Sequence, residues 1–143
     1  MEDYLETILT LEASHRVARV KDIAESLNVQ MPSVTSALKN LKEHGMVNYE
    51  KNSYIMLSEK GQKVAESVIQ RHFALAGFLQ RVLCVPVEQS QETACRIEHV
   101  ISPEIAERLK NLTSYIEDHV IGRNLNRAEW TGVITASEKS EDK

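Results

Sequence analysis

Apolar residues recur every three to four positions along most of this chain, which is the spacing of helices that bury one face. The first such run covers Asp3 to Ala13, and the second covers Val20 to Leu27. The second run stops at Asn28, a residue that tolerates the left-handed backbone found at many helix ends. A third helix is predicted from Pro32, whose missing N–H costs nothing in a first turn, toward His44.

The pattern changes to short strands after the third helix. Two segments, 47–50 and 54–57, alternate in character around a polar turn and predict a β-hairpin. Two helices joined by a short turn can present the second helix to a DNA major groove, and a hairpin directly after them is typical of a winged helix. Lys51 would lie at the tip of this wing, where we expect a backbone phosphate.

Helical periodicity returns after the hairpin. One long helix is predicted from Glu59 to Leu83 and another from Glu88 to Ile101, and Ser102 and Pro103 then give a strong start signal for one more. Because so few helices cannot close a core of their own, we expect this second part of the chain to dimerise. The predicted fold class is mainly α, with an N-terminal winged helix-turn-helix of three helices and a two-stranded wing, followed by an all-helical dimerisation domain.

Three side chains that can bind metal lie within one turn of the predicted helix Glu88 to Ile101. Cys95, Glu98 and His99 are spaced i, i+3 and i+4, so on a helix they would share a face. Sulfur, oxygen and nitrogen donors together suit a first-row transition metal better than Mg²⁺ or Ca²⁺, which prefer oxygen alone. The other candidate metal ligands, from two other predicted helices, are Asp3, Glu6 and His72.

Composition narrows the function further. The 143 residues are 42% hydrophobic but only 5% aromatic, and the formal net charge of −4 argues against a simple polycationic nucleic-acid binder. Two divalent ions would bring that charge from −4 to 0 and weaken the repulsion from phosphate. Cys84 lies in an apolar run and is expected to be a buried thiol, whereas Cys95 is expected to bind metal. With no membrane-length apolar run and no signal-peptide pattern, we expect a cytoplasmic protein.

Taken together, these motifs resemble the diphtheria-toxin-repressor and manganese-transport-regulator family of metal-activated bacterial repressors. The resemblance runs from Met1 to about Ile116, and its last segment is the most specific. The segments that carry it are Glu2-Asp3-Tyr4-Leu5, Val20-Lys21-Asp22-Ile23-Ala24, Pro32-Ser33-Val34-Thr35, Leu57-Ser58-Glu59-Lys60-Gly61, Arg71-His72 and Cys95-Arg96-Ile97-Glu98-His99-Val100.

The resemblance mixes two subgroups of the family. Asp3 and Glu6 match the manganese-type pattern, whereas Cys95 matches the iron-type pattern. His72 matches a ligand of both. The resemblance also implies the two-domain form, without the SH3-like third domain of longer iron-type members.

The iron-type repressors have a second metal site that includes an acid and a histidine. This chain has Ala76 and Gln91 at those two positions. The resemblance therefore does not imply that second site here.

We therefore expect a repressor of iron- or manganese-uptake or homeostasis genes, and not an enzyme. It would bind one or two divalent ions per chain, Fe(II) or Mn(II), with Co(II), Zn(II) or Ni(II) as surrogates. The active form would be a homodimer on a palindromic double-stranded DNA operator. The ion would brace the DNA-binding domain against the dimer domain and so fix the separation of the recognition helices. The candidate DNA-binding residues are Lys21, Gln30, Pro32, Ser33, Thr35, Ser36, Lys39, Asn40 and Lys51.

The expected domains are a winged-helix DNA-binding domain at 1–63, a helical metal-binding and dimerisation domain at 64–121, and a partly disordered C-terminal tail at 122–143. Two alternatives remain open. One is a winged-helix regulator that responds to an organic ligand or to cysteine oxidation. The other is a metal-dependent hydrolase, although no separate acid-base group is visible in the sequence.

Overall fold

The computed structural model of the protein describes residues 1–15, 17–50 and 53–136, with only the backbone of His15. The chain divides into two compact units, the first from Met1 to Ile69 and the second beginning at Gln70. The mainly helical fold with an N-terminal winged helix-turn-helix is confirmed. The elements of the described ranges are α1 (Glu2–His15), α2 (Val20–Leu27), α3 (Met31–Glu43), β1 (Val47–Asn48), β2 (Met56–Leu57), α4 (Glu59–Arg81), α5 (Val87–Ile97), α6 (Pro103–His119) and α7 (Arg127–Thr135).

The first unit packs α1, α2 and α3 around one apolar core. Asn28 ends α2 with φ 52°, which confirms the predicted left-handed cap, and Pro32 lies in the first turn of α3 as predicted. Burying each large aliphatic side chain contributes about 1.5–3 kcal/mol, so these helices are fixed mainly by their shared core. The large core side chains from the three helices are Leu5, Ile8, Leu11, Ile23, Val34, Leu38 and Leu41.

The wing strands are shorter than the sequence predicts. Val47 pairs with Leu57 and Asn48 with Met56, so the four-residue strands expected at 47–50 and 54–57 are reduced to two residues each. Ile55 instead pairs with Ala18, which precedes α2, and its N–H donates to the Ala18 carbonyl at 3.0 Å. Ile55 is also buried in the core of the first unit. The predicted wing-tip residue Lys51 lies outside the described residues.

The start of α4 packs closely against the turn between α3 and β1. The Ser58 hydroxyl donates to the Gly45 carbonyl at 2.7 Å and accepts from the Gly61 N–H at 3.0 Å. A Cβ on Gly61 would overlap the carbonyl oxygen of Met46. Gly61 therefore permits a close backbone approach, a role that outweighs its low helix propensity.

The second unit has a smaller core than the first. Leu75, Ala76 and Ala94 are buried there, and apolar side chains from α5 and α6 pack against them. Ser102 caps α6 as predicted, its Oγ accepting from the Ile105 N–H at 3.2 Å. On the same helix Leu112 is 46% exposed, so the apolar side chains of α6 are only partly covered within one chain.

Helix α7 was missed by the sequence analysis, which found no pattern after Gly122. Asn126 and Glu129 form a reciprocal capping box at its start, with bonds of 3.0 and 2.7 Å. The Trp130 indole N–H donates to the Val82 carbonyl at 2.8 Å, so α7 is anchored beside the end of α4. None of its residues is buried, which explains why apolar periodicity did not reveal it. The last part of the tail predicted at 122–143, residues 137–143, lies outside the described residues.

Long apolar helices are absent from the described ranges: none of the helices there could cross a bilayer.

Candidate metal centre and nucleic-acid interface

A compact cluster of metal-capable side chains lies in the second unit. It comprises His72 on α4, Cys95 on α5 and Glu98 directly after α5, and one donor atom from each lies within 4.8 Å of the others. His72 Nδ1 is 2.7 Å from Glu98 Oε2 and 3.8 Å from Cys95 Sγ. The structure thus brings a nitrogen, an oxygen and a sulfur donor together from residues far apart in sequence.

Glu98 is the most buried member of the cluster, with only 1% of its surface exposed. Its Oε2 contacts His72 Nδ1, and its Oε1 lies 3.3 Å from His99 Nε2. Burying a carboxylate costs several kcal/mol unless charges or hydrogen bonds compensate. An acid held between two imidazoles in this way is more typical of a functional site than of a packed core.

The helix geometry predicted for this segment is right for Cys95 and wrong for His99. Helix α5 was expected to reach Ile101 but ends at Ile97, and residues 98–100 form a turn. Ser102 is extended, with ψ 155°, as expected before Pro103, so the chain has left the helix by this residue. His99 is therefore near the cluster through its contact with Glu98, not through a shared helix face.

Gln91 closes the other side of the His72 ring. Its Oε1 lies 2.5 Å from His72 Nε2. Gln91 precedes Cys95 by four residues and Glu98 by seven, so all three follow one face of α5 and its continuation. In the sequence Gln91 stood out only as a difference from iron-type members, although its i−4 spacing from Cys95 was an available signal.

The carboxylates predicted as ligands near the amino terminus lie on α1 of the first unit. Asp3 is exposed and Glu6 is half-buried. The structure describes each unit by itself, and the roles of these two residues as ligands stay predictions.

The outer face of α3 is accessible, as a recognition helix requires. Thr35 is half-buried, and its hydroxyl donates to the Met31 carbonyl of its own helix at 3.1 Å. Lys21, on α2, is exposed and lies 3.6 Å from Glu25. The remaining predicted DNA-binding residues within the described ranges are all exposed: Gln30, Pro32, Ser33, Ser36, Lys39 and Asn40.

A groove of about 1150 Å³ lies beside α3 in the first unit, lined by the start of α2, by α3 and by both sides of the wing. Its lining includes one acid, Glu50, and four basic side chains. Local positive charge of this kind is what phosphate contacts need, even in a chain with a net charge of −4. The four basic residues are Arg19, Lys21, Lys39 and Lys42.

Two of these cations are held by the wing, and the sequence analysis missed both. The Arg19 guanidinium lies 5.4 Å from the centre of the Tyr54 ring, within cation–π range. The Lys42 ammonium donates to the Tyr49 carbonyl at 2.8 Å. An arginine directly before α2 and tyrosines on both sides of the wing turn were the available signals.

Two models of known protein families match this chain, one over each of these two regions. The family model described as "Iron dependent repressor, N-terminal DNA binding domain" matches residues 1–55. The model described as "Iron dependent repressor, metal binding and dimerisation domain" matches residues 58–124. The chain belongs to the iron-dependent repressor family. This confirms the resemblance to the diphtheria-toxin-repressor and manganese-transport-regulator proteins and the prediction of a metal-dependent, DNA-binding transcriptional regulator.

Relatives within the family span most of the chain. An uncharacterized HTH-type transcriptional regulator of Methanocaldococcus jannaschii is 36% identical over 121 residues, covering 84% of this chain and 97% of the relative. The HTH-type transcriptional regulator MntR of Lysinibacillus sphaericus is 37% identical over 119 residues, covering 83% and 85%. The solved structure of the manganese regulator SloR is 32% identical with a TM-score of 0.70, covering 80% of this chain. This chain spans about half the length of SloR, 53%.

Proposed function

We propose that this member of the iron-dependent repressor family is activated by Fe(II) or Mn(II) bound at His72, Cys95 and Glu98. The loaded protein would repress genes of metal uptake or homeostasis. The observation that carries the proposal is the convergence of three donor atoms within 4.8 Å, from residues on α4, on α5 and in the turn that follows. The match of residues 58–124 to a metal binding and dimerisation domain supports it.

The donor set fits a first-row divalent ion. One imidazole nitrogen, one thiolate and one carboxylate make a mixed set that hard ions such as Mg²⁺ and Ca²⁺ do not select. When bound, the ion supplies positive charge to a pocket in which the Glu98 carboxylate is otherwise buried beside histidines. His99 is the nearest candidate for a further ligand because its Nε2 lies 3.3 Å from Glu98 Oε1.

Cys95 is proposed to set the metal preference. A single soft sulfur favours iron, cobalt or zinc, whereas a carboxylate at that position would offer two hard oxygens and favour manganese. We expect Fe(II) to activate operator binding at least as well as Mn(II), and Cys95→Glu to shift the preference toward Mn(II). An anaerobic operator-binding titration against each ion measures both. The proposal fails if Mn(II) acts on the parent protein at far lower free concentration than Fe(II).

The first unit is proposed to bind DNA through α3 and the cationic groove. The exposed polar face of α3 suits base edges, and the basic groove residues suit phosphates. A dimerisation domain in each chain makes a two-fold symmetric protein, so we propose a palindromic operator with half-sites about 34 to 36 Å apart per helical turn. A regulator of this kind works where the chromosome is, so we propose a cytoplasmic location.

The role of the first unit in metal binding stays a prediction. Asp3 and Glu6 are predicted to share the ion, which would hold the DNA-binding unit in one position and lower the ordering cost of binding DNA. Asp3→Asn should then weaken both metal affinity and metal-dependent DNA binding. Unchanged metal affinity in that variant would remove Asp3 from the ligand set. The domain limits 1–63, 64–121 and 122–143 are likewise proposals.

One experiment separates the proposal from its two rivals. Operator binding is measured with added metal, after addition of a chelator, and after removal of the chelator with fresh metal under anaerobic conditions. We expect loss and full recovery. Binding that persists in the chelator would favour an organic ligand or cysteine oxidation as the signal, and metal-dependent cleavage of ester or phosphate substrates would favour a hydrolase.

A further inference from the structure

Gln91 is a polar residue of the second unit to which neither the predicted ligand set nor the family match gives a role. Its side-chain oxygen lies 2.5 Å from His72 Nε2, while the carboxylate of Glu98 lies 2.7 Å from His72 Nδ1. Both ring nitrogens of His72 are therefore engaged, one by an amide and one by a carboxylate.

The two nitrogens of His72 are not equivalent toward the cluster. Nδ1 is the nitrogen that lies near Glu98 Oε2 and Cys95 Sγ, at 2.7 and 3.8 Å. A histidine coordinates metal through a nitrogen that carries no proton, and the partner of the other nitrogen decides which one that is. An amide oxygen only accepts hydrogen bonds, so Gln91 Oε1 holds a proton on Nε2. The Glu98 carboxylate also only accepts, and an ion bound at Nδ1 would take the place of the proton that faces it.

We propose that Gln91 is a positioning residue of the metal centre. Its Oε1 accepts the Nε2–H of His72, fixes the tautomer and orientation of the ring, and so aims the Nδ1 lone pair at the ion. This inference rests on the proposed function, since it takes His72 to be a ligand. Loss of a residue that hydrogen-bonds to a metal ligand typically weakens metal binding by about 10- to 100-fold.

The surroundings of the ring favour this role over an incidental surface contact. The His72 side chain is only 12% exposed, and Gln91 is half-buried. Phe73 meets the imidazole edge-on, with ring centroids 5.8 Å apart. A ring that is confined on several sides can be held in one orientation by a single hydrogen bond, because little rotamer freedom remains to be lost.

Three variants of the full chain test the inference. Gln91→Leu removes the acceptor at nearly constant size, and Gln91→Glu keeps an oxygen acceptor at the same distance. Gln89→Leu is the matched control, because Gln89 is an exposed residue of the same helix. Dissociation constants for Mn(II) and Co(II) are measured by competition with a fluorescent chelator. We expect binding to weaken about 10- to 100-fold in Gln91→Leu and to stay within about threefold of the parent, or to tighten, in the other two.

A second readout needs no metal. In the metal-free parent, the ¹⁵N spectrum of the His72 side chain should show a protonated Nε2 whose hydrogen exchanges slowly with water. In Gln91→Leu that hydrogen should exchange faster. The metal-free spectrum tests the role of Gln91 separately from metal binding. A parent protein that bound neither ion would refute the proposed function, while the spectrum would still report on the hydrogen bond to Gln91.

The inference is overturned if the Nε2 hydrogen of the metal-free parent exchanges no more slowly than that of Gln91→Leu, or if the metal affinity of Gln91→Leu lies within twofold of the parent. It is also overturned if Gln91→Glu loses as much affinity as Gln91→Leu and both variants melt at lower temperature. That pattern would indicate a packing role.

Discussion

The cationic groove of the first unit holds solvent-exposed charges, whereas the metal cluster of the second unit is centred on a buried one. The groove is open, its side chains are long, and its charges lie at the surface beside α3 and the wing. The cluster is compact and centred on Glu98, which is 1% exposed and touches two imidazoles. Charges in water contribute little individually and are screened by salt, whereas a buried charge is costly to leave without compensation.

The difference predicts how each region fails. Removing one cation from the groove should weaken DNA binding by a modest, salt-dependent factor, since the neighbouring cations remain. Removing one donor from the cluster should abolish a response, because the remaining donors cannot replace it. Substitutions at three residues test this contrast, and each has a control that leaves the region intact.

The largest effect is expected at Glu98. Glu98→Ala, or Glu98→Gln at nearly constant volume, should weaken metal binding by more than about 100-fold. That is the upper range for a residue that only hydrogen-bonds to a ligand, whereas Glu98 is itself a proposed ligand. Metal-dependent operator binding should disappear, while weak metal-independent binding at low salt should remain. Calorimetric metal titration and a gel-shift assay measure the two, and Glu92→Gln, an exposed site on α5, is the control. A retained metal response in both Glu98 variants would refute the assignment.

An intermediate effect is expected at Arg19. Arg19→Ala removes one cation from the groove, so DNA affinity should fall several-fold at every sequence. The slope of log affinity against log salt concentration should decrease by the equivalent of about one phosphate contact. Metal affinity should not change. Lys63→Ala is the matched control, since Lys63 is an exposed cation of the first unit that pairs with Glu59 outside the groove. An equal loss in both variants would show that only total charge matters.

The smallest effect is expected at Tyr54. Cation–π stacking at an exposed site is worth about 0.5–1 kcal/mol, so Tyr54→Leu should weaken DNA binding about two- to fivefold. Tyr54→Phe keeps the ring and should bind like the parent. In the Arg19→Ala background, Tyr54→Leu should add nothing, which fluorescence anisotropy can measure as a double-mutant cycle. Additive losses would mean that the tyrosine contacts DNA on its own.

Local signals in the sequence predicted most of the helices. Asn28, Pro32 and Ser102 each mark a helix end by backbone chemistry that depends on few neighbours, and the structure has helix ends at all three. The wing strands and the end of α5 were less well predicted. Those limits depend on tertiary context: Ile55 pairs with Ala18 rather than lengthening the hairpin, and a turn at residues 98–100 separates α5 from α6.

The candidate site divides in the same way. The spacing of Cys95 and Glu98 was visible in the sequence, and His72 was predicted as a candidate ligand from another helix. Gln91 and Arg19 were missed because their importance depends on a partner far along the chain, His72 for one and Tyr54 for the other. Pairs of this kind have no periodicity, so the sequence signals at Gln91 and Arg19 did not identify their partners, which the folded structure shows.

The anchoring of α7 gives the protein a built-in optical reporter. Trp130 is the single tryptophan, it belongs to the second unit, and its indole donates to the Val82 carbonyl beside α4. The tyrosines that line the groove belong to the first unit. Tryptophan emission therefore reports on the surroundings of Trp130 in the second unit, and a bound ion at 100 times its dissociation constant should raise the free energy of unfolding that it reports by about 2.7 kcal/mol.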